Sequence, residues 1–217
     1  MLFRSDYTIP AVSTDSTRPH IGGVHFESNR IASTDGHRLH LMITDLPLDV
    51  PFLLPLPAAK TLRKILTDMV IIARADDRLK VKTGNWLMEC RLSDAQFPPI
   101  DQVIPRHQNT QVSVDAALFT RALKQVAGVS QRNIGVKLRI NGAIELSATD
   151  PDIGESRAIV NPTSTNHTGD ILDFGVNSAY LLDAITGKDA VMQFDGPLDP
   201  VTVTCGKSFA VVMPMRI

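Results

Sequence analysis

The chain has 217 residues, 43% of them hydrophobic and 21% charged, with a formal net charge of −1. That length suits two domains of ordinary size with real apolar cores, and so small a net charge excludes a global field that gathers nucleic acid. Cys90 and Cys205 are too few and too far apart for a metal knuckle, a redox pair or a disulfide framework, and read as two small buried hydrophobes in a reducing compartment.

Residues 1–6 contain no continuous apolar stretch of the signal-peptide kind, and no apolar run is long enough to cross a bilayer, so a cytoplasmic location is expected. Residues 1–13 hold no clear element, and Pro10 limits any helix among them. Alternating residues then predict a hairpin over 24–27 and 30–34. A helix is expected at about 58–69, with Leu62, Ile65, Leu66 and Met69 on its apolar face, followed by strands at 70–74, 79–83 and 86–92.

A short strand at 111–114 precedes a helix over 116–127 that Asp115 can cap, with Leu118, Ala122, Leu123 and Val126 as its apolar stripe. Strands at 136–140 and 143–148 flank Asn141-Gly142, a strong hairpin signal. A strand at 157–160 follows, then a helix at about 178–185 with Asn177 as cap and Gly187 at its end. Strands at 190–194, 201–205 and 209–214 close the chain.

The two halves carry one message. Arg18, Ile21, Gly22 and Val24 lead to Thr34-Asp35, and Arg132, Ile134, Gly135 and Val136 lead to Thr149-Asp150, 115 residues later. Val12-Ser13 matches Val129-Ser130, the run beginning Pro57-Ala58-Ala59 matches the run beginning Asn177-Ser178-Ala179, and Gly84 matches Gly206. Solenoid units run roughly 20–50 residues, so a period this long is a duplicated domain. The expected fold is α+β: two copies, residues 1–108 and 109–217, each with two helices packed on a mostly antiparallel sheet in the order β-α-β-β-β-α-β-β-β. The first copy lacks the opening strand.

Catalysis finds little support in these residues. His37 and His40 are three apart, which on a strand turns them to opposite faces and suits no shared metal. Asp150 and Asp152 flank Pro151 without a partner acid, base or nucleophile at a recognised spacing, and His20 and His25 stand singly. No phosphate-binding glycine loop is present. The expectation is a protein with no catalytic site, metal or cofactor.

Two segments, 34–39 (Thr-Asp-Gly-His-Arg-Leu) and 211–217 (Val-Val-Met-Pro-Met-Arg-Ile), together with residues 16–19 and Phe97-Pro98-Pro99, resemble the bacterial sliding clamp, the β subunit of DNA polymerase III. The similarity runs from about Ser13 to the last residue and covers that family's middle and last domains. It implies a non-catalytic accessory subunit of a DNA polymerase, a processivity factor that encircles duplex DNA without reading its sequence and docks the polymerase, a clamp loader and repair proteins through a short peptide motif. The family's six-domain ring comes from two three-domain chains; with two domains per chain a homo-oligomer of three copies would be needed. A second reading keeps the peptide pocket but not the ring, as a module that recruits or sequesters clamp-binding proteins.

Carried over residue by residue, the resemblance assigns the pocket to Arg18, Ile21, Thr34, Gly36, His37, Arg38 and Leu39 from the first copy. Pro98, Gln102 and Val103 come from the connector, with Gln102 where the family often carries arginine. Asn177, Tyr180, Leu198 and Pro200 come from the second copy, with the tail Val211, Val212, Met213, Pro214, Met215, Arg216 and Ile217. Methionines adapt to varied ligands, while Arg18, Arg38, Asn177 and the terminal carboxylate can fix a peptide's backbone. Taken singly, Met213 and Met215 would read as core filler; the joint pattern points to the pocket. The implied DNA-facing set is Lys60, Arg63 and Lys64 on one helix and Arg121 and Lys124 on the next, spaced to share a face.

Overall fold

The computed structural model describes residues 6–45, 48, 50–67, 70–129, 135–167 and 171–216. The chain divides into two compact units, Met1–Asp101 and Gln102–Ile217. Each is built from antiparallel strands backed by helix, and among the described residues no helix is long and apolar enough to cross a membrane.

Unit 1 opens with 3-10 turns at Ile9–Ala11 and Pro19–Ile21. Next come β1 (Gly23–Glu27), β2 (Arg30–Thr34), β3 (Arg38–Ile43), β4 (Phe52–Pro55), α1 (Leu56–Ile65), β5 (Val70–Ala75), β6 (Arg78–Thr83) and β7 (Trp86–Arg91). Strands β3, β2, β1 and β4 pair in that order, and β5, β6 and β7 form a meander. Strand β6 shows why the meander holds. Its residues alternate between solvent and core, and Leu79 and Val81 lie inside while Arg78, Lys80 and Lys82 stay outside. Helix α1 lays Ala59 and Leu62 into a core shared with Val24, Phe26, Ile31 and Leu54, and Phe26 stacks on Phe52 at 4.9 Å.

Where the duplicated plan calls for an opening strand and helix, the described part of unit 1 has a single 3-10 turn. In unit 2 a three-turn helix packs chiefly against the edge strand Gly154–Val160 and its neighbour; in unit 1 the turn Ile9–Ala11 rests on β2, β3 and α1. Its neighbours Tyr7 and Thr8 are buried, and Ile9 and Val12 join the core. Two polar contacts pin it: the Ser33 hydroxyl donates to the Thr8 carbonyl, and buried His40 donates from Nδ1 to the Tyr7 carbonyl at 2.6 Å while stacking on the Tyr7 ring.

Unit 2 contains β8 (Thr110–Asp115), α2 (Ala116–Ala127), β9 (Gly135–Asn141), β10 (Ala143–Asp150), β11 (Gly154–Val160), β12 (Ser164–Thr165), β13 (Leu172–Asn177) and α3 (Ser178–Ala184). It ends with β14 (Asp189–Phe194), β15 (Val201–Cys205), β16 (Ser208–Val212) and β17 (Pro214–Met215). One sheet runs β12-β8-β14-β15-β16 and the other β11-β10-β9-β13-β17. Phe174 of β13 meets Phe194 of β14 at 5.2 Å between them. Asp115 caps α2 through the Leu118 amide, and Asn177 caps α3 through the amides of Ala179 and Tyr180.

Several expectations need correction. Helix α1 starts at Leu56, ahead of Pro57, which tolerates a first-turn position because its missing N–H would be unpaired there; it ends at Ile65, and Met69 lies outside the described residues. On α2 the buried stripe is Ala116, Phe119, Leu123 and Val126, whereas Leu118 is 51% exposed. A strand absent from the expected order, β4 or β13, precedes the second helix of each unit. It resets the repeat alignment: Gly23 pairs with Pro55 and Gly135 with Asn177, each partner being the residue before a helix, so Gly23 and not Gly22 is the counterpart of Gly135. The expected closing strand at 209–214 breaks after Val212, and the chain crosses to the other sheet.

Candidate functional site

In unit 1 the candidate residues gather on the bend between β2 and β3. Asp35 organises it, its Oδ1 accepting from the amides of His37 and Arg38 and its Oδ2 from Arg38 Nε at 3.1 Å. The Thr34 hydroxyl donates to the Arg38 carbonyl and accepts from the Gly36 amide, and Gly36 adopts a φ of 91°, a conformation glycine enters without strain. Asp150 plays the same part in unit 2, its Oδ1 accepting from the Asp152 amide. Repetition of Thr-Asp therefore reflects a shared turn device, Asp bonding to backbone two residues on.

Arg18 comes to the same bend from the 3-10 turn. Its Nη1 lies 3.5 Å from the Asp35 carbonyl and its Nε 3.3 Å from Asp15. Asp15 is held below the usual carboxylate range, first by hydrogen bonds from the Thr17 hydroxyl and amide and then by the Arg18 charge. Arg38 is 9% exposed in its side chain and tied to Asp35 and the Pro10 carbonyl, so it braces the bend. Ile21 and Leu39 are 4% and 2% exposed and lie beneath it; His37 is exposed on it, and Pro98 is half-buried. Neither Asp15 nor Asp35 was among the sequence candidates, although the Asp-Gly pair signals a turn.

In unit 2 the tail meets the second helix. Strand β17 pairs with β13, Pro214 opposite Val176 and Met215 opposite Gly175, which brings the tail to Asn177, the cap of α3; Tyr180, in the first turn of that helix, is half-buried. Val201 opposite Val212 brings Pro200 next to Met213. The Pro200 carbonyl accepts from Gln108 Nε2 at 2.7 Å. Val211 and Val212 are buried, whereas Met213, Met215, Leu198 and Val103 are exposed, as are Gln102 and Arg216. Adaptable apolar side chains left facing solvent beside a capped helix suit an apolar guest better than a folded core. Ile217 and its carboxylate lie outside the described residues.

Lys60, Arg63 and Lys64 are exposed on α1, opposite Ala59 and Leu62; Arg121 and Lys124 are exposed on α2. Arg63 is already engaged by Asp6 at 2.5 Å. Among the described residues no three His, Cys, Asp or Glu side chains are grouped to hold a metal ion. Burial pushes the thiols of Cys205 and Cys90 above the usual range, which suppresses the thiolate; Cys205 is buried and Cys90 partly so.

Comparison with known proteins gives concordant matches. The family described as DNA polymerase III beta subunit, C-terminal domain, matches residues 101–216, and the one described as its central domain matches residues 6–99. The beta sliding clamp of Caulobacter vibrioides is 27% identical over 236 residues, covering 98% of this chain and 62% of that protein. That of Bacillus subtilis is 29% identical over 231 residues, covering 96% and 60%. The crystal structure of the C. crescentus beta sliding clamp superposes with a TM-score of 0.90 at 26% identity, over 98% of this chain and 62% of that one. The chain thus spans about 60% of the length of the curated relatives it matches.

Proposed function

Because the chain belongs to the family of the DNA polymerase III beta subunit, the bacterial sliding clamps, we propose that it serves as a sliding-clamp-like processivity factor, tethering a polymerase to duplex DNA and docking partner peptides. The observation that carries this reading is the tail of unit 2, with Met213 and Met215 exposed beside the capped start of α3. On this reading the tail cluster of unit 2 takes the peptide. Apolar side chains would settle among Met213, Met215 and Leu198, while the Asn177 region holds polar groups. The mechanism is topological. Enclosure replaces tight binding, so dissociation is suppressed while Lys60, Lys64, Arg121 and Lys124 meet phosphates without reading bases. No step of covalent chemistry is assigned to the chain.

The test is binding of a labelled peptide carrying a glutamine-leucine-leucine-phenylalanine motif. Full affinity for the intact chain and loss on deleting residues 213–217 are expected; affinity unchanged by the deletion overturns the assignment. The second reading is a module that recruits or sequesters clamp-binding proteins without a ring. Solution mass separates the two: three chains for a six-domain ring, one for the module.

A further inference from the structure

The connection between β14 and β15 is longer than its counterpart in unit 1. The meander turns at Gly84 and Gly206 correspond, both with positive φ, and Ile72 pairs with Val81 as Met192 pairs with Val203, each partner three residues before its glycine. The next pairs, Ala73 with Lys80 and Gln193 with Thr202, therefore correspond, and residues 74–79 lie within the first and residues 194–201 within the second. The longer connection carries Leu198, 64% exposed. It closes on itself, the Asp199 amide donating to the Gly196 carbonyl at 3.2 Å, with Pro197 at the second position of that turn, where its fixed φ suits the bend.

Two successive residues, Gln108 and Asn109, hold this turn at both ends. The Asn109 amide donates to Asp195 Oδ1 at 2.6 Å, and the Asn109 carbonyl accepts from Asn166 Nδ2 at 2.9 Å, so the anchor is itself fixed. At the other end the β14–β15 pairing begins only at Thr202, and Pro200 has no N–H with which to extend it. The side chain of Gln108 makes the join instead. Its Nε2 donates to the Pro200 carbonyl at 2.7 Å, and its Oε1 accepts from the Thr202 hydroxyl at 2.5 Å. Thr202 is 2% exposed, and its hydroxyl decides which way the Gln108 amide faces: with Oε1 on the hydroxyl, Nε2 is presented to Pro200.

We propose that Gln108 is a positioning residue of the tail site, acting through Leu198 to set the site's preference for one apolar side chain of the docked peptide. This rests on the reading of the tail cluster as a peptide site. Val201 opposite Val212 puts Pro200 next to Met213, and Leu198 is carried on the turn that ends at Pro200. An exposed apolar side chain on a swinging turn must be ordered when a guest binds, at a cost in affinity; one held in place is ready for it. Gln108 supplies that hold by joining the turn to β15. Without the amide, the turn is tied only at its Asp195 end. The fold is spared, because the Thr202 hydroxyl already lies 3.5 Å from the Gln193 carbonyl, a second acceptor, and Pro200 is only half-buried, close to water. Removing the Gln108 side chain thus costs position more than stability.

The probe is the labelled glutamine-leucine-leucine-phenylalanine peptide, together with a set in which each apolar residue in turn is alanine, titrated into the full chain by fluorescence anisotropy. Gln108→Ala should weaken the parent peptide about fivefold, the scale of one hydrogen bond. It should leave unchanged the one alanine peptide that lacks the side chain seated on Leu198. In a Leu198→Ala background the effect of Gln108→Ala should likewise vanish. Gln108→Glu keeps the acceptor for Thr202 and loses the donor to Pro200; it should show the same selectivity, and it serves where the alanine variant fails to fold. A loss equal for every peptide, or one added in full to that of Leu198→Ala, overturns the proposal. Binding that needs residues 213–217 yet is indifferent to both Gln108 variants overturns it alone. Binding that survives deletion of those residues overturns the reading of the tail as well.

Discussion

Arg30 and Asp101, 71 residues apart, meet through two parallel contacts, Nη1 to Oδ1 at 2.6 Å and Nη2 to Oδ2 at 3.0 Å. The pair ties the segment after β7 back to the β1–β2 hairpin, and Phe97, in the same segment, stacks on His25 at 4.6 Å and 7°. Asp101 is held below the usual carboxylate range, chiefly by the hydrogen bond from Arg30. A depressed carboxyl contributes to stability above its unfolded value, near 4, and loses that contribution as pH falls through its lower folded value. Asp101→Asn should leave the melting temperature almost unchanged, because exposed ion pairs contribute little, yet speed amide exchange across residues 93–101 several-fold. Unchanged exchange would show that Phe97 alone anchors the segment.

His25 makes the opposite end of this clamp sensitive to acid. Burial lowers its affinity for protons and outweighs the raising effects of Glu27, whose Oε2 lies 3.1 Å from Nε2, while Arg30 adds to the lowering. The unfolded chain therefore binds the proton more readily, so unit 1 is fully stable above about pH 6.5 and loses stability as pH falls toward the lower folded value. Melting curves at pH 7.5 and 5.5 should diverge more for the native chain than for His25→Phe, which keeps a ring on Phe97. Equal divergence would assign the acid response to other groups.

Gly23 is required by space. A Cβ there would stand 2.5 Å from the Leu54 carbonyl oxygen and 3.0 Å from its carbon, across the β1–β4 pairing. Gly23→Ala must push two backbones apart, at a cost of about 2 kcal/mol or more, read as a lower denaturation midpoint for unit 1. Gly142→Ala meets no atom within 4 Å and so tests φ alone, at 68°. It should cost less.

On the proposed function, salt sets DNA affinity through phosphate contacts, with a slope near 0.9 per contact. Lys60→Ala and Lys64→Ala should each flatten the dependence of log affinity on log salt by about that much. Arg63→Ala should do less because Asp6 already engages Arg63, and Asp6→Ala should raise affinity. A slope indifferent to all four changes would place α1 away from DNA.

Much of this architecture was legible because local chemistry and tertiary need agreed. The Asp115 and Asn177 caps, the Asn141-Gly142 turn and the strands Arg30–Thr34 and Val201–Cys205 stand where their residues indicate. What escaped was set by partners distant in sequence. Strands β4 and β13 are short and run straight into helices, so no break in hydrophobic rhythm announces them. Pro55 caps α1 with no side-chain bond, which removed the usual start signal and shifted the repeat alignment by two residues. Phe119 and Leu118 are neighbours of similar apolarity, and only packing against the sheets decides which is buried. In the candidate site, His37 and Met213 stand open as a binding role needs, whereas Arg38 and Leu39 are committed to the fold.

Shortening a helix to one turn also removes charge. The turn Ile9–Ala11 carries no cation, and α3 none in its last turn, whereas α2 offers Arg121 and Lys124. If DNA runs past these helices, the electrostatic grip of each copy is concentrated on α1 and α2. Few fixed contacts of this kind would let the polymer move with correspondingly low friction.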